Sequence, residues 1–424
     1  MALLIKNARV IDPSQQLDER LDILLENGVV ARLARDIAAP EAEQVDASGL
    51  IAAPGLIDLH VHLRDPGHEY KETIASGARA AAAGGFTAVA CMANTNPVND
   101  TLAVTEYILQ CARAANAARV YPIGAITRGL EGMVLTEMGE LSAAGCVGFS
   151  DDGRWVANGD VMRRALEYAR PFGVPLLSHA EDRSITADGV MNDGVVATEL
   201  GLEGIPWVAE DAAIARDIML AAFTGARLHI CHVSTVGAVD MVRRAKQAGV
   251  RVTCEVTPHH FTLTEEAVRG YNTNARMSPP LRTKEDVAAV RSALAEGVID
   301  AIATDHAPHH IDDKDVDFNS AVNGIVGLET ALGLTLKLVE EGFLSLGQAI
   351  ERLSCGPARV LNIPGGTLRE GAAADVVLFD PERRWTVDPE RFYSQSRNTP
   401  FAGWTLPGVV RRTIVAGRTV FRQD

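Results

Sequence analysis

Asp58-Leu59-His60-Val61-His62, closing the apolar run that begins at Leu56, decides how the rest of the chain is read. Residues two apart on a strand face the same way, so His60 and His62 can share one metal ion. Asp58 is then a candidate to hold the remaining ring N–H of a ligating imidazole. Working outward, comparable apolar runs occupy 56–60, 86–91, 119–124, 146–150, 174–178, 227–231, 250–255 and 299–304. Ala-rich stretches of about 10 to 20 residues with helical character separate them, which is the pattern of repeated βα units. Eight such units predict an α/β fold of the TIM-type (β/α)8 barrel class, whose active-site face is formed by the C-terminal ends of the strands. Asp151-Asp152 follows the fourth run, His179 the fifth, His232 the sixth and Asp305 the eighth. Singly, His179 reads more readily as a satisfied core or helix-capping histidine and Asp305 as a helix cap. Gathered with His60 and His62 at one barrel mouth, they predict a site of three or four histidines and two aspartates, suited to Zn²⁺ or a similar divalent ion.

Both ends of the chain differ from this middle. Residues 1–53 and 366–424 form short alternating segments broken by turn signals such as Asp12-Pro13 and Asn27-Gly28. Because they flank a barrel over 54–365, the simplest packing is a small discontinuous β-sandwich made by the N- and C-terminal segments together. The 424 residues are 47% hydrophobic and 22% charged, as expected for packed globular protein throughout. A formal net charge of −15 disfavours nucleic acid or an acidic membrane as partner, so an anionic substrate needs a local basic group. Six scattered cysteines without a CxxC spacing read as reduced core thiols, which predicts the cytosol. The opening MALLIKNARVID reads as a strand rather than a signal peptide, and no apolar run reaches the roughly 20 residues of a membrane helix.

The stretches Asp58-Leu59-His60-Val61-His62-Leu63-Arg64-Asp65-Pro66-Gly67, Phe149-Ser150-Asp151-Asp152-Gly153 and Asp305-His306-Ala307-Pro308-His309 resemble the type I dihydroorotases of the amidohydrolase superfamily. Gly365-Gly366-Thr367-Leu368 through Ala374-Asp375-Val376-Val377-Leu378-Phe379-Asp380 is similar to the segment with which that superfamily completes its sandwich, so the resemblance spans the chain. It implies reversible cyclisation of N-carbamoyl-L-aspartate to L-dihydroorotate, with loss of water, in pyrimidine synthesis. It also implies one or two zinc ions, one held by His60 and His62, a second by His179 and His232, with Asp152 bridging or capping them. Asp305 would be both ligand and proton carrier. Arg64, Asn94 and His309 would grip the substrate carboxylate, and Ser278, Asn323 and Gly324 would be further substrate positions, with His62 facing substrate as well as metal. A homodimer and a complex with aspartate transcarbamoylase are the assemblies the resemblance leaves open.

Relatives such as hydantoinases, dihydropyrimidinases and allantoinases bridge two metals with a carbamylated lysine on strand four. This chain has no lysine between Lys71 and Lys246, which argues against those activities and leaves Asp152 as the substitute. Ser278 stands where type I enzymes carry asparagine, and Asn323 where an aromatic is common. The intact HxH pair argues against a metal-free scaffold for aspartate transcarbamoylase. His309 to Val326 reads either as a lid over the barrel mouth or as an ordinary exposed loop, and His259-His260 as packed or supporting histidines.

Overall fold

Eight short parallel strands close on themselves in the computed structural model, which describes residues 2–423. Leu56–Val61, Phe86–Cys91 and Arg119–Pro122 pair in order, as do Leu176–Ser178, Leu228–Ile230, Val252–Val256 and Ala301–Ile302. The fourth run joins these two groups through a single residue, since Phe149 bridges Gly124 on one side and Leu176 on the other. A parallel bridge between Val61 and His306, with the His62 N–H donating to the His306 carbonyl at 2.8 Å, completes the ring. All eight expected runs therefore contribute, though ladder pairing in the fourth is narrower than 146–150 and in the eighth narrower than 299–304.

Local chemistry explains the helices between the strands. The first, Ile74–Ala83, starts at a capping box in which Thr73 Oγ1 accepts from the Ser76 N–H at 3.0 Å and Ser76 Oγ accepts from the Thr73 N–H at 3.0 Å. Its Ala-rich face is buried against the barrel. Inside the ring, Leu59, Ala90, Ile123, Leu177 and Ala303 form a compact core that also takes in Val360 and Leu361. The helix Gly356–Leu361 thus plugs the barrel floor and leaves the opposite mouth open.

The terminal segments form one continuous eight-stranded sheet. Its order runs Arg418–Arg422, Thr405–Val415, Val376–Thr386, Ile51–Pro54, Ala2–Asp12, Leu17–Glu26 and Val29–Ala34, with Glu43–Asp46 also paired to Ala2–Asp12. The join between the two ends is the antiparallel register of Val376 with Pro54 through Phe379 with Ile51. A bridge from Val29 to Ala373 brings the far edge back, so the sheet folds over its own core of Ile5, Val10, Ile23, Leu25, Val376 and Ile414. The chain is accordingly a TIM-type barrel with a β-sandwich domain. An Arg119–Asp375 ion pair at 3.0 Å and a Thr413 Oγ1 hydrogen bond to the Ala82 carbonyl at 2.6 Å dock the sandwich on the barrel.

A Cβ added at Gly356 would lie 2.1 Å from the Asp300 carbonyl oxygen, a backbone atom that cannot move aside. Gly356→Ala is expected to push the floor helix off the barrel and cost about 1–3 kcal/mol or more. A melting temperature equal to that of the parent would show that the plug is not tightly seated.

Candidate metal centre and active site

The open mouth holds the histidines and aspartates singled out in the sequence. His60 Nε2 lies 3.3 Å from Asp152 Oδ1 and 3.5 Å from Asp305 Oδ1, and His62 Nε2 lies 2.9 Å from Asp305 Oδ1 and 3.5 Å from Asp152 Oδ2. On the other side His179 Nδ1 approaches His232 Nε2 at 3.0 Å and Asp152 Oδ1 at 3.5 Å. Two sets of donors fall within 4.8 Å of one another: His60 with His232 and Asp305, and Asp152 with His179 and His232. Cys231 forms a third such group with His60 and Asp152, but burial pushes its thiol far up, which keeps it protonated.

The cluster satisfies itself poorly. His60 Nε2 and Asp152 Oδ1 are buried at its centre without a hydrogen-bond partner, where native structures seldom leave polar atoms unpaired. His232 Nδ1 is likewise buried without a partner. Donors of this kind, nitrogen and carboxylate oxygen converging on one point, fit a divalent metal ion. Burial alone would raise the Asp152 carboxyl, but His60, His179 and His232 outweigh it and hold the group well below the usual range. The same contest at Asp305 is won by His60, His62 and His232, so that carboxylate is also held ionised. Asp305 and His232 have φ of 46° and 34°, and such left-handed residues cost about 1–3 kcal/mol each unless their surroundings enforce them.

Asp58 does not hold an imidazole N–H as expected. Its carboxylate accepts instead from the backbone N–H groups of His60 at 3.1 Å and Thr304 at 3.1 Å, fastening strand one to strand eight, because a strand residue two before His60 cannot also reach that ring. Burial raises this carboxyl to about 7. The ring partner is Glu255, whose Oε1 lies 2.7 Å from His60 Nδ1 while its Oε2 meets His229 Nε2 at 3.1 Å. Sequence reading passed over both residues, although a glutamate inside the otherwise apolar strand Val252–Val256 was the available signal. For His62, the Nδ1 partner is Asn94 Oδ1 at 2.9 Å.

A cavity of about 280 Å³ opens beside the cluster, lined by His62, Asp305, Arg64, Asn94, Ser278, His309 and Asn323 among others. Arg64 reaches it from beyond the end of the first strand. The strand stops at Val61, and Arg64 turns through a left-handed conformation, φ 61°, to donate from Nε to the Pro308 carbonyl at 3.1 Å and from Nη2 to His309 Nε2 at 3.1 Å. Burial and the neighbouring Arg64, Lys71 and Lys314 depress His309 far below its ordinary pKa, so it is neutral. Gly324 stands behind it rather than in the lining: a Cβ there would lie 2.6 Å from His309 Cδ2, so only glycine fits. Asn398, unmarked in sequence, accepts from the His309 N–H at 3.1 Å and donates to the Ala307 and Gly324 carbonyls. Opposite the cationic corner, Ser278 Oγ donates to Glu181 Oε2 at 2.6 Å, giving the cavity an acidic wall that sequence reading also missed.

A family model described as dihydro-orotase-like matches residues 49–237, and one described as amidohydrolase family matches 209–421. Over 422 residues the chain is 60% identical to the dihydroorotase of Syntrophotalea carbinolica, covering 100% of this chain and 99% of that one. It is 59% identical to the dihydroorotase of Geobacter metallireducens, with 100% of both chains covered. The chain belongs to the dihydroorotase family. As a member it is a hydrolase acting on cyclic amides. Among solved structures it resembles the L-hydantoinase of Arthrobacter aurescens, with a TM-score of 0.88, 27% identity and coverage of 100% of this chain and 96% of that one. The dihydropyrimidinase of Brevibacillus agri gives a TM-score of 0.86 at 25% identity, covering 100% and 95%.

In this dihydroorotase-family chain the segment 309–326 is fastened beside the mouth. It contains a short helix, Ile311–Lys314, and Lys314 is buried, its Nζ donating to the Thr273 carbonyl at 3.0 Å and the Val322 carbonyl at 2.7 Å. Arg276 adds a hydrogen bond from Nε to Asn323 Oδ1 at 3.0 Å. The remaining tempting pair divides: His260 is packed, with Nδ1 on Thr257 Oγ1 and Nε2 on the Pro279 carbonyl, whereas His259 Nε2 is buried without a partner.

Burial, reinforced by Arg276, lowers Lys314 from 10.5 to about 7. The unfolded chain therefore binds more protons than the folded one between these values, so this lysine makes stability rise with pH across the window about 7 to 10.5. Lys314→Met is expected to lack that component, which a comparison of denaturant midpoints at pH 7 and pH 9.5 measures. Parallel pH profiles for both proteins would mean that Lys314 titrates normally.

Proposed function

We propose that this chain is a type I dihydroorotase that interconverts N-carbamoyl-L-aspartate and L-dihydroorotate, with zinc as its metal, one or two ions per subunit. The observation that carries this reading is the juxtaposition, in one small cavity, of the His/Asp cluster with the Arg64–His309 corner. A ring amide and a spectator carboxylate are then met by chemically different ends of the same site. The absence of any lysine between Lys71 and Lys246 supports dihydroorotate over hydantoins or dihydropyrimidines, since the lysine-bridged relatives need one on strand four.

In this reading His60, His62, Asp152, His179, His232 and Asp305 hold the metal. A divalent ion bound there supplies Lewis acidity, favouring ionisation of water and polarisation of the amide carbonyl. Asp305, kept ionised by its histidine neighbours, accepts the proton of the attacking water as the C–O bond forms. It returns that proton to the ring nitrogen as the C–N bond breaks, and in the synthetic direction it takes the ureido proton and the order reverses. Arg64 grips the spectator carboxylate with charge-assisted hydrogen bonds, supported by Asn94 and by neutral His309. Ser278, Asn323 and Gly324 shape the ring-binding wall, Gly324 through His309. The catalytic unit is assigned to 54–365 and the sandwich to 1–53 with 366–424. Free cysteines, six among the described residues, suit the reducing cytosol as its compartment. A homodimer, or a complex with aspartate transcarbamoylase, is the assembly in which it would work.

Purified protein supplied with zinc is expected to turn over dihydroorotate but neither hydantoin nor dihydrouracil, and Asp305→Ala to lose at least about a hundredfold in kcat. Turnover of the uncharged rings alone would overturn the assignment. Arg64→Met is expected to raise KM for dihydroorotate about tenfold or more while leaving zinc content unchanged. Stripping the metal with a chelator should abolish activity and lower the melting temperature, because the folded state loses the binding free energy of an ion that the unfolded chain cannot hold.

A further inference from the structure

Glu255 is wholly buried and does not line the cavity, yet both of its carboxylate oxygens are committed to histidines. Oε1 takes His60 Nδ1 at 2.7 Å and lies 3.4 Å from the His232 N–H, while Oε2 takes His229 Nε2 at 3.1 Å. His229 is itself wholly buried, and its Nδ1 meets Thr253 Oγ1 at 2.8 Å. Thr253, His229, Glu255 and His60 therefore form a hydrogen-bonded line through the barrel wall to the cluster.

We infer that Glu255 is a positioning residue of the metal centre, which fixes His60 in the tautomer that turns a lone pair, not an N–H, toward the metal position. This rests on reading the cluster as a metal site. Carboxylates on opposite sides of the ring compete for its proton. His60 Nε2 faces Asp152 Oδ1 at 3.3 Å and Asp305 Oδ1 at 3.5 Å, and with only those carboxylates nearby the ring proton would settle on Nε2 and block coordination. Glu255, closer at 2.7 Å and on the opposite side, draws the proton to Nδ1 instead. The orphaned state of His60 Nε2 agrees with a lone pair facing the centre. His229 supports the carboxylate from the far side through Nε2, while its Nδ1 meets Thr253 Oγ1, whose hydroxyl also lies 3.5 Å from the Leu228 carbonyl. Without His229 an ionised carboxylate in this apolar wall would be too costly to keep.

The test measures zinc release from the loaded protein to a chromophoric chelator. Glu255→Gln keeps the side chain's shape, removes its charge and is expected to weaken zinc retention about 10- to 100-fold, with kcat reduced and KM for dihydroorotate nearly unchanged. Thr253→Val, which disturbs only the far end, is expected to weaken retention by about two- to fivefold, in line with a partner two hydrogen bonds removed. A residue that merely stabilised the fold would lower the melting temperature of Glu255→Gln and leave zinc release alone, and that result overturns the inference. Parent protein that takes up no zinc would overturn the metal reading itself. Should Glu255→Gln not fold, histidine ¹⁵N spectra of the zinc-loaded parent decide: an N–H at His60 Nδ1 is expected, and one at Nε2 refutes it.

Discussion

The barrel closes where its first strand meets its last, and that seam sets the position of everything at the mouth. The Asp58 carboxylate spans it, accepting from the backbone of His60 on one side and Thr304 on the other, while the His62 N–H reaches the His306 carbonyl just above. Through this join His62 and Asp305, 243 positions apart in sequence, come within 2.9 Å. A carboxylate with no solvent contact is an expensive clasp, but it is compensated by two backbone N–H donors, that of Thr304 shared between both oxygens, and holds two chain segments in fixed register. Fixed register at the seam also helps hold Asp305 and Arg64, which follow its two strands, at positive φ, since such backbone relaxes unless its neighbours prevent it.

Around that seam the charges are sorted rather than balanced. Carboxylates and imidazoles gather at the centre, where each depresses or raises the other's ionisation more strongly than burial opposes it. Cationic Arg64 and Lys71 flank neutral His309 on one side, and Glu181 stands on the other. An asymmetric ligand can bind such a cavity in one sense only, which fits a family whose substrates carry an amide at one end and a carboxylate at the other.

Much of this was legible in the chain itself, and the parts that were not share a cause. Strand runs at regular spacing, and His or Asp directly after five of them, are one-dimensional signals that a parallel barrel converts into proximity, so the gathering of these residues at one mouth follows from their order. Glu255, His229 and Asn398 carry no such mark: each acts through atoms of residues far away in sequence, and a lone polar residue in an apolar run gives no partner. Asp58 stands out for its place beside His60, but its carboxylate is taken up by the backbone N–H groups of His60 and Thr304 at the seam. Arg64 enters the cavity through a left-handed turn that no periodic pattern in the sequence signals. Lys314 sits among Asp312, Asp313 and Asp315 in a polar run, and only packing reveals that it is the inward charge.

The sandwich has one consequence for how the molecule is made. Strand Ile51–Pro54 takes Val376–Phe379 as a neighbour, so its partner leaves the ribosome 322 residues later, counting from Pro54 to Val376. At about 5–20 residues per second that is roughly 15 to 65 s of synthesis, during which the early strands have one edge unpaired. Ala2–Asp12, Leu17–Glu26 and Val29–Ala34 can pair among themselves in that interval, but the face that later receives Val376 and Ile414 stays open to water and to other nascent chains. The last strands to be translated thus act as a closing clamp, and a message truncated a few dozen codons early would yield a barrel with a sticky, half-built sheet.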